Sequence, residues 1–428
     1  MKFCNSCFYP ENAKPTIIFD KNGICSGCNY NQSRKHNDVD WIKREKMFRE
    51  ILDESKDIAK QRGNSHDCII PVSGGKDSHY QVWLLKEKYK MNPLLVSYNH
   101  GFNSPSGLRN LRNLVEKSGC DIITYTAGKN SVKKIARYMI ERVGDITWHY
   151  HAGIKTLPFK VAVEKNIPLI VWGEHAYAEM TGMVSLKDFV EFTKWSRKEH
   201  DMRGIEAEEL IGKNGITSED IEPYIYPTDE QISETEVRGI YISNFFKWNA
   251  EEHAKLMKKV WNFGYVSYDR ERTFNLHSKI DDHANDIHDY MKYVKFGYGR
   301  ATDDASTEIR HGRITREDGI ALIRKYDPVE PSSLDYYCRF LGITKKNFYD
   351  FLEPMRDLNV WTKNHNNAWK LIDPIWEKEK FSNESEFGKN SIIFNNNEHK
   401  NLYFNPKNKP DVSGESELDI KSAVFKWL

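Results

Sequence analysis

A doubly wound α/β sheet protein, with a cysteine module ahead of the sheet and a mainly helical region behind it, is what this sequence predicts. Three observations carry that prediction. Short apolar runs alternate with amphipathic runs of helical length between residues 41 and 173, and buried strands alternating with helices imply a parallel sheet covered on both faces. Four of the seven cysteines form two Cys-x2-Cys pairs before residue 30. From about residue 200 the periodicity turns helical and the connections lengthen.

In chain order, residues 41–63 ("WIKREKMFREILDESKDIAKQRG") read as a charged amphipathic helix. Strand 67–72, a glycine loop and helix 78–89 follow, then strand 93–98, helix 106–119, strand 121–126 and helix 131–144. A further helix near 153–166 leads to strand 167–173, which closes the series. Ligands of such sheets bind at the carboxyl ends of the strands. That edge presents the glycine loop, "YNHG" (98–101) and "GEHAYAE" (173–179) together. Beyond it, 236–260 and 315–326 are the clearest helices, and 383–417 is an Asn-, Ser- and Lys-rich stretch with no assigned chemistry. The expected organisation is a cysteine module at 1–40, the sheet domain at 41–200, a mainly helical region at 201–380 that completes the active site, and a peripheral tail at 381–428.

Composition narrows the function classes. The 428 residues suffice for two or three cores. With 63 basic and 62 acidic residues, formal net charge +1, the chain is not a broad electrostatic binder of nucleic acid. No apolar run approaches the roughly 18–20 residues of a membrane helix, and the N-terminus lacks a signal-peptide layout. A mean hydropathy of −0.70 and unscattered cysteines read as a soluble cytoplasmic chain with reduced thiols.

Cys4-x2-Cys7 and Cys25-x2-Cys28 are seventeen residues apart, a spacing that fits a structural zinc site in which each pair offers two thiolates to one tetrahedral ion. A short strand and an Asn-Gly turn between them would bring the pairs together. Redox dithiols are the rival reading. Cys68, Cys120 and Cys338 read as ordinary buried thiols. "GICSG" (23–27) formally matches a glutaminase nucleophile elbow. Cys25 already belongs to a pair, however, and no downstream His-x-Glu accompanies it. The chain therefore reads as lacking a glutaminase.

After strand 67–72 the sequence runs Ser73-Gly74-Gly75-Lys76-Asp77-Ser78. This does not fit G-x-x-x-x-G-K-[ST]. It resembles the pyrophosphate loop of the ATP-pyrophosphatase, or PP-loop, superfamily, whose sheet is adenine-nucleotide α-hydrolase-like. Two residues without Cβ let successive N–H groups converge on phosphate oxygens, backed by the next helix. Ser73 and Ser78 add hydroxyls, Lys76 can neutralise departing pyrophosphate, and Asp77 can hold Mg²⁺ or order the loop. Asn99 and His100 stand where this superfamily meets adenosine. Gly173, Glu174 and His175, at a strand end, either contact ATP or substrate or form a plain polar loop.

Three further stretches, "YNHGFNSPSGLRNLRNLVEKSGCDIITYTAG", "PFKVAVEKNIPLIVWGEH" and "YVKFGYGRATDDASTEIRHGRITREDGIALIRKYD", together with the cysteine pairs and the loop, resemble the N-acetyl sugar amidotransferase family over roughly residues 1–330. The resemblance implies ATP-dependent adenylation of the acetamido oxygen of a nucleotide-linked sugar. Ammonia then displaces AMP to leave an acetamidino group, in bacterial surface-glycan synthesis. It also implies a separate class I glutaminase subunit as the ammonia source. The run after Lys295 supplies Arg300, Asp303, Asp304, Arg310 and Arg313; Lys295 and Arg300 are expected near phosphates or the nucleotide sugar. The rival is a PP-loop enzyme of tRNA thiolation. Such enzymes commonly need a second set of cysteines in the catalytic domain, and none is evident here.

Overall fold

The computed structural model describes residues 1–381; beyond Phe381, the tail expected at 381–428 lies outside the described residues. The N-terminal module folds around the turn at Asn22-Gly23. Asp20 Oδ1 accepts from the amides of Asn22 and Ile24 there, and Gly23 adopts φ +73°. An antiparallel bridge joins Phe19 to Cys25. Cys25 then caps helix α1 (Ser26–Lys35), its Sγ accepting from Cys28 N. Helix α2 (Trp41–Gln61) starts where Asp40 Oδ1 accepts from Ile42 and Lys43. It buries Phe48, Ile51, Leu52, Ser55 and Ala59, the i, i+3, i+4 stripe of an amphipathic helix.

Among the described residues, five parallel strands form the main sheet, β1 (Cys68–Pro71), β2 (Pro93–Asn99), β3 (Ile122–Thr126), β4 (Leu169–Trp172) and β5 (Arg238–Tyr241), and Trp361–Lys363 and Trp369–Leu371 pair as a separate antiparallel ribbon. The five lie in the order β3-β2-β1-β4-β5, every pair parallel. Between them run α3 (Lys76–Trp83), α4 (Pro105–Ser118), α5 (Lys129–Val143) and α6 (Trp148–Lys165), and α7 (Ala176–Thr181) follows β4. Consecutive strand residues point to opposite faces. Ile69, Leu94, Val96 and Ile170 therefore enter one core with α5 and α6, while Ile70, Leu95, Val171 and Ile240 enter another with α2, α3 and α4. Each such side chain contributes about 1.5–3 kcal/mol by leaving water, and truncating one to Ala costs about 2–5 kcal/mol.

The sequence placed a helix over 236–260, with the sheet ending at 167–173. Instead, Arg238–Tyr241 is the fifth strand, and helix α8 begins only at Ala250 and runs to Trp261. "RGIY" carries a buried apolar run too short to tell strand from helix by period, and its pairing with Leu169–Trp172 decides it. Helices α9 (Ala284–Phe296), α10 (Arg300–Arg310), α11 (Arg316–Tyr326), α12 (Leu334–Leu341) and α13 (Lys345–Leu352) complete the helical region. Leu334, Tyr337, Phe340, Leu341 and Phe348 join the first sheet core. Ala301, Ala305, Ile320 and Ile323 pack with Phe8 of the N-terminal module. The N-terminal module thus packs against the helical region.

Candidate active site

The strand order reverses between β1 and β4, and the crevice outside the carboxyl ends of these strands is the expected binding place. A cavity of about 420 Å³ lies there, lined by Ser73, Gly75, Lys76, Asp77 and Ser78 after β1, by Asn99 and His100 after β2, and by Glu174 after β4. Tyr30 and Asn31 of α1, Trp248, the polar residues between Asn275 and Asp281 and one face of α10 enclose it from across.

The loop after β1 is built as the sequence suggests, although its two glycines differ in role. Gly74 adopts φ +85°, and a Cβ there would lie 2.7 Å from Leu111 N, so it lets the loop pass close under α4 and does not itself line the cavity. Gly75 caps α3 with no side-chain acceptor on the helix's first amides, which leaves them for a ligand. Ser73 Oγ accepts from Gly75 N at 3.3 Å, and Ser73 N donates to Ser78 Oγ at 3.1 Å. Lys76 Nζ donates to Asp77 Oδ2 at 2.6 Å. Burial would lower the Lys76 pKa, but Asp77 and Glu174 outweigh it and raise it, so the lysine stays a cation. Asp77 Oδ1 is buried without a hydrogen-bond partner. An orphaned carboxylate oxygen beside a phosphate loop fits a hard divalent cation such as Mg²⁺.

Glu174 faces this group. Its burial first, and then the Asp77 charge, push its pKa up to about 7. Gly173 stands behind the cavity wall: a Cβ there would lie 2.1 Å from Gln81 Nε2, so its role is close packing. His175 Nδ1 accepts from Ala178 N at 3.2 Å and so caps α7. Asn99 braces its own loop, donating to Thr126 Oγ1 at 3.0 Å and accepting from Gly101 N at 3.0 Å. His100 is buried edge-on against Tyr150, and burial lowers its pKa to about 4, keeping it neutral.

On the far wall Arg300 lines the cavity. It is held by a two-pronged pair with Asp289, Nε to Oδ2 at 2.8 Å and Nη2 to Oδ1 at 2.9 Å, and by Asp303 at 3.3 Å. Burial alone would raise the Asp289 pKa; Arg300 reverses this and holds it below the usual carboxylate range. Lys295 corrects the sequence expectation, because it does not reach the cavity. Its Nζ donates to the Gly144 carbonyl at 2.7 Å, at the end of α5, and burial lowers its pKa to about 8. Sequence reasoning missed Lys279, Trp248 and the Glu251–His277 pair, whose Oε2 and Nε2 are 2.5 Å apart, all at the cavity. The polar stretch "NLHSKIDD" (275–282) was the signal available for two of these.

The four cysteines of the N-terminal module converge. Cys4 and Cys28 sulfurs lie 3.9 Å apart and Cys7 and Cys25 sulfurs 3.6 Å apart, all four thiols being buried and within 4.8 Å of one another. A tetrahedral ion with Zn–S bonds of about 2.3 Å requires sulfurs about 3.8 Å apart, so the group fits a single zinc. Amides of Ser6, Cys25 and Cys28 donate to its sulfurs, the outer shell such a site needs. Cys68, Cys120 and Cys338 are buried free thiols elsewhere, and none lines the cavity.

Comparison with known proteins adds the following. Residues 243–375 match the family described as LPS biosynthesis protein WbpG-like, C-terminal domain. The uncharacterised protein MJ1599 of Methanocaldococcus jannaschii is 27% identical over 159 residues, covering 34% of this chain and 54% of that protein; the chain spans about half the length of this curated relative. Among solved structures, NMN synthetase from Francisella tularensis aligns at 11% identity over 52% of this chain and 87% of that one, with a TM-score of 0.27. NH3-dependent NAD synthetase from Campylobacter jejuni aligns at 12% identity over 52% and 96%, with a TM-score of 0.25. The U34-tRNA thiolase NcsA from Methanococcus maripaludis, with its 4Fe-4S cluster, aligns at 15% identity over 61% and 83%, with a TM-score of 0.22. Superpositions this loose carry no weight for the site. The family match does, since it spans α8 to α13 and contains the whole of the far wall's α10. Residues 243–375 are thus similar to the WbpG-like C-terminal domain family, which is consistent with the resemblance to the N-acetyl sugar amidotransferase family that the motifs display.

Proposed function

We propose that this protein is a PP-loop enzyme of surface-glycan biosynthesis that consumes ATP and aminates the acetamido group of a nucleotide-linked sugar. One observation carries the reading: the Ser73–Ser78 loop and α10 of the WbpG-like region face a single cavity. In this scheme the acetamido oxygen attacks the α-phosphate of ATP, the bond to the β-phosphate breaks, and pyrophosphate departs onto the loop amides and Lys76. Ammonia then adds to the imidate carbon, that carbon loses AMP, and an acetamidino group remains. The protein's share is charge stabilisation and positioning. Asp77 Oδ1 would hold Mg²⁺, which when bound neutralises phosphate charge. Glu174, with its pKa pushed up to about 7, is placed to take a proton at its carboxylate from the attacking ammonia as the amidine is formed.

Residues 1–40, 41–200 and 201–380 act in this reading as zinc module, nucleotide domain and substrate region. Ammonia comes from a separate class I glutaminase, because Cys25, the one elbow candidate, belongs to the cysteine cluster. Among the described residues no helix is long and apolar enough to cross a membrane, and the reaction is assigned to the cytoplasm, where ATP and nucleotide sugars meet. The thiolation alternative is disfavoured by the placement of Cys68, Cys120 and Cys338 away from the cavity.

The test is product analysis. With Mg-ATP, ammonium and a panel of UDP- and CMP-linked N-acetyl sugars, AMP and pyrophosphate should appear only when an accepted sugar is present. ADP as product, or sugar-independent turnover, would refute the proposal.

A further inference from the structure

Helix α10 is gripped from two sides. Arg300, Asp303, Asp304, Thr307, Glu308 and Arg310 line the cavity. The same helix is also bonded to the cysteine module at three points. Tyr9 OH donates to Asp303 Oδ1 at 2.6 Å, Ser306 Oγ donates to the Cys7 carbonyl at 3.0 Å, and Arg310 Nη2 lies 3.6 Å from both Cys7 and Cys25 Sγ. Positions 303, 306 and 310 follow the i, i+3, i+7 spacing of one helical stripe, so a single face meets the module.

Arg310 is the most constrained of the three. Its side chain is 7% exposed, and its Nη1 donates to the Met180 carbonyl at 2.7 Å and the Glu179 carbonyl at 3.3 Å, at the end of α7. Gly27 makes room for it, since a Cβ there would stand 2.6 Å from Arg310 Nη2. The guanidinium therefore joins the sulfur cluster, the cavity and the helix that follows Glu174. Arg34 of α1 adds a parallel tie to α7 through its ion pair with Glu179, which also lines the cavity. A metal ion fixes the four sulfurs at their spacing and, with them, the Cys7 carbonyl and the two sulfur contacts of Arg310. Without an ion holding the sulfurs, these contacts of α10 would lose their fixed support.

We infer that metal binding at the cysteine cluster and nucleotide binding in the cavity reinforce each other, with Arg310 as the positioning residue between them. The inference rests on the ATP reading above for its choice of probe. Coupling must be reciprocal: whatever factor the metal lends to nucleotide affinity, the nucleotide lends to metal affinity.

The experiment uses the full, zinc-loaded chain and α,β-methylene-ATP. Zinc release to a chromophoric chelator is followed with and without saturating analogue, binding having been measured by calorimetry. The analogue is expected to slow release about 10-fold, within the range usual for coupled sites. Arg310→Met should release zinc faster and lose this protection, whereas an arginine of purely structural value would speed release equally in both conditions. Should Arg310→Met fail to fold, Tyr9→Phe removes one tie and should cut the protection about 2- to 5-fold. Analogue that binds without protecting the metal overturns the coupling and leaves the proposed function standing. Protection that survives in both variants overturns the role of α10. No binding to the zinc-loaded protein would instead overturn the ATP reading, and the coupling with it.

Discussion

On the sheet side of the cavity, the polar groups come from neighbours in sequence. Ser73 to Ser78 supply amides, two hydroxyls and a lysine within six residues, and Asp77, in the first turn of α3, and Glu174, just after β4, follow adjacent strands. On the α10 side, Arg300 is paired with Asp289 on the preceding helix, but two partners come from far away in sequence: Asp303 takes Tyr9 from 294 positions away, and Arg310 meets Cys7 across 303. The first wall is a local motif laid on a regular sheet edge. The second is a network of buried pairs, in which removing one member leaves another uncompensated. Damage to the first wall should therefore appear in chemistry, and damage to the second in folding.

Lys76→Ala should show the largest effect and the cleanest separation. Loss of one preorganised cation at the leaving group is expected to lower AMP and pyrophosphate formation by about 10²–10³-fold, with zinc content and the thermal midpoint nearly unchanged. A folded variant with full turnover would remove the loop from the mechanism.

Arg300→Met should fail differently. It leaves Asp289, 2% exposed, without its partner, and breaking a buried pair from one side costs about 3–5 kcal/mol. A fall in the denaturation midpoint of that order is expected alongside lost activity. Retained stability would mean that the wall relaxes far more easily than its pairing indicates.

Lys295→Met sharpens the contrast at the small end. Its amine serves the Gly144 carbonyl, so stability should drop by about 1–3 kcal/mol for an unsatisfied buried acceptor, while kcat stays within about 3-fold, the scale of a change of less than 1 kcal/mol in barrier. A collapse of kcat with unchanged stability would return Lys295 to the site.

The strands with strong patterns were legible because each is a short apolar run, as a parallel strand buried on both faces requires, set between amphipathic runs of helical length. β1 to β4 appear within a few residues of their expected places. β5 did not, since a four-residue buried run has no period of its own and becomes a strand only through pairing with β4. The loop residues Ser73, Gly75, Lys76, Asp77 and Ser78 were equally legible, as were Cys4, Cys7, Cys25 and Cys28, because each group's chemistry depends on short-range spacing. Which of Lys295 and Arg300 reaches the cavity lay beyond such reasoning, and only Arg300 does. Both are basic residues in one glycine-punctuated run, and the turn at Gly297, with φ +77°, sends one to α5 and the other to the cavity.

Amino-acid order by itself determined the parallel sheet, the phosphate loop and the cysteine set, since these follow from residues that interact within one turn, one strand or one loop. Tertiary structure alone decided which charges face the cavity, which serve the scaffold, and that the cysteine module and α10 share a face. Those outcomes depend on contacts between segments some 300 residues apart, where burial turns otherwise ordinary surface residues into obligatory partners.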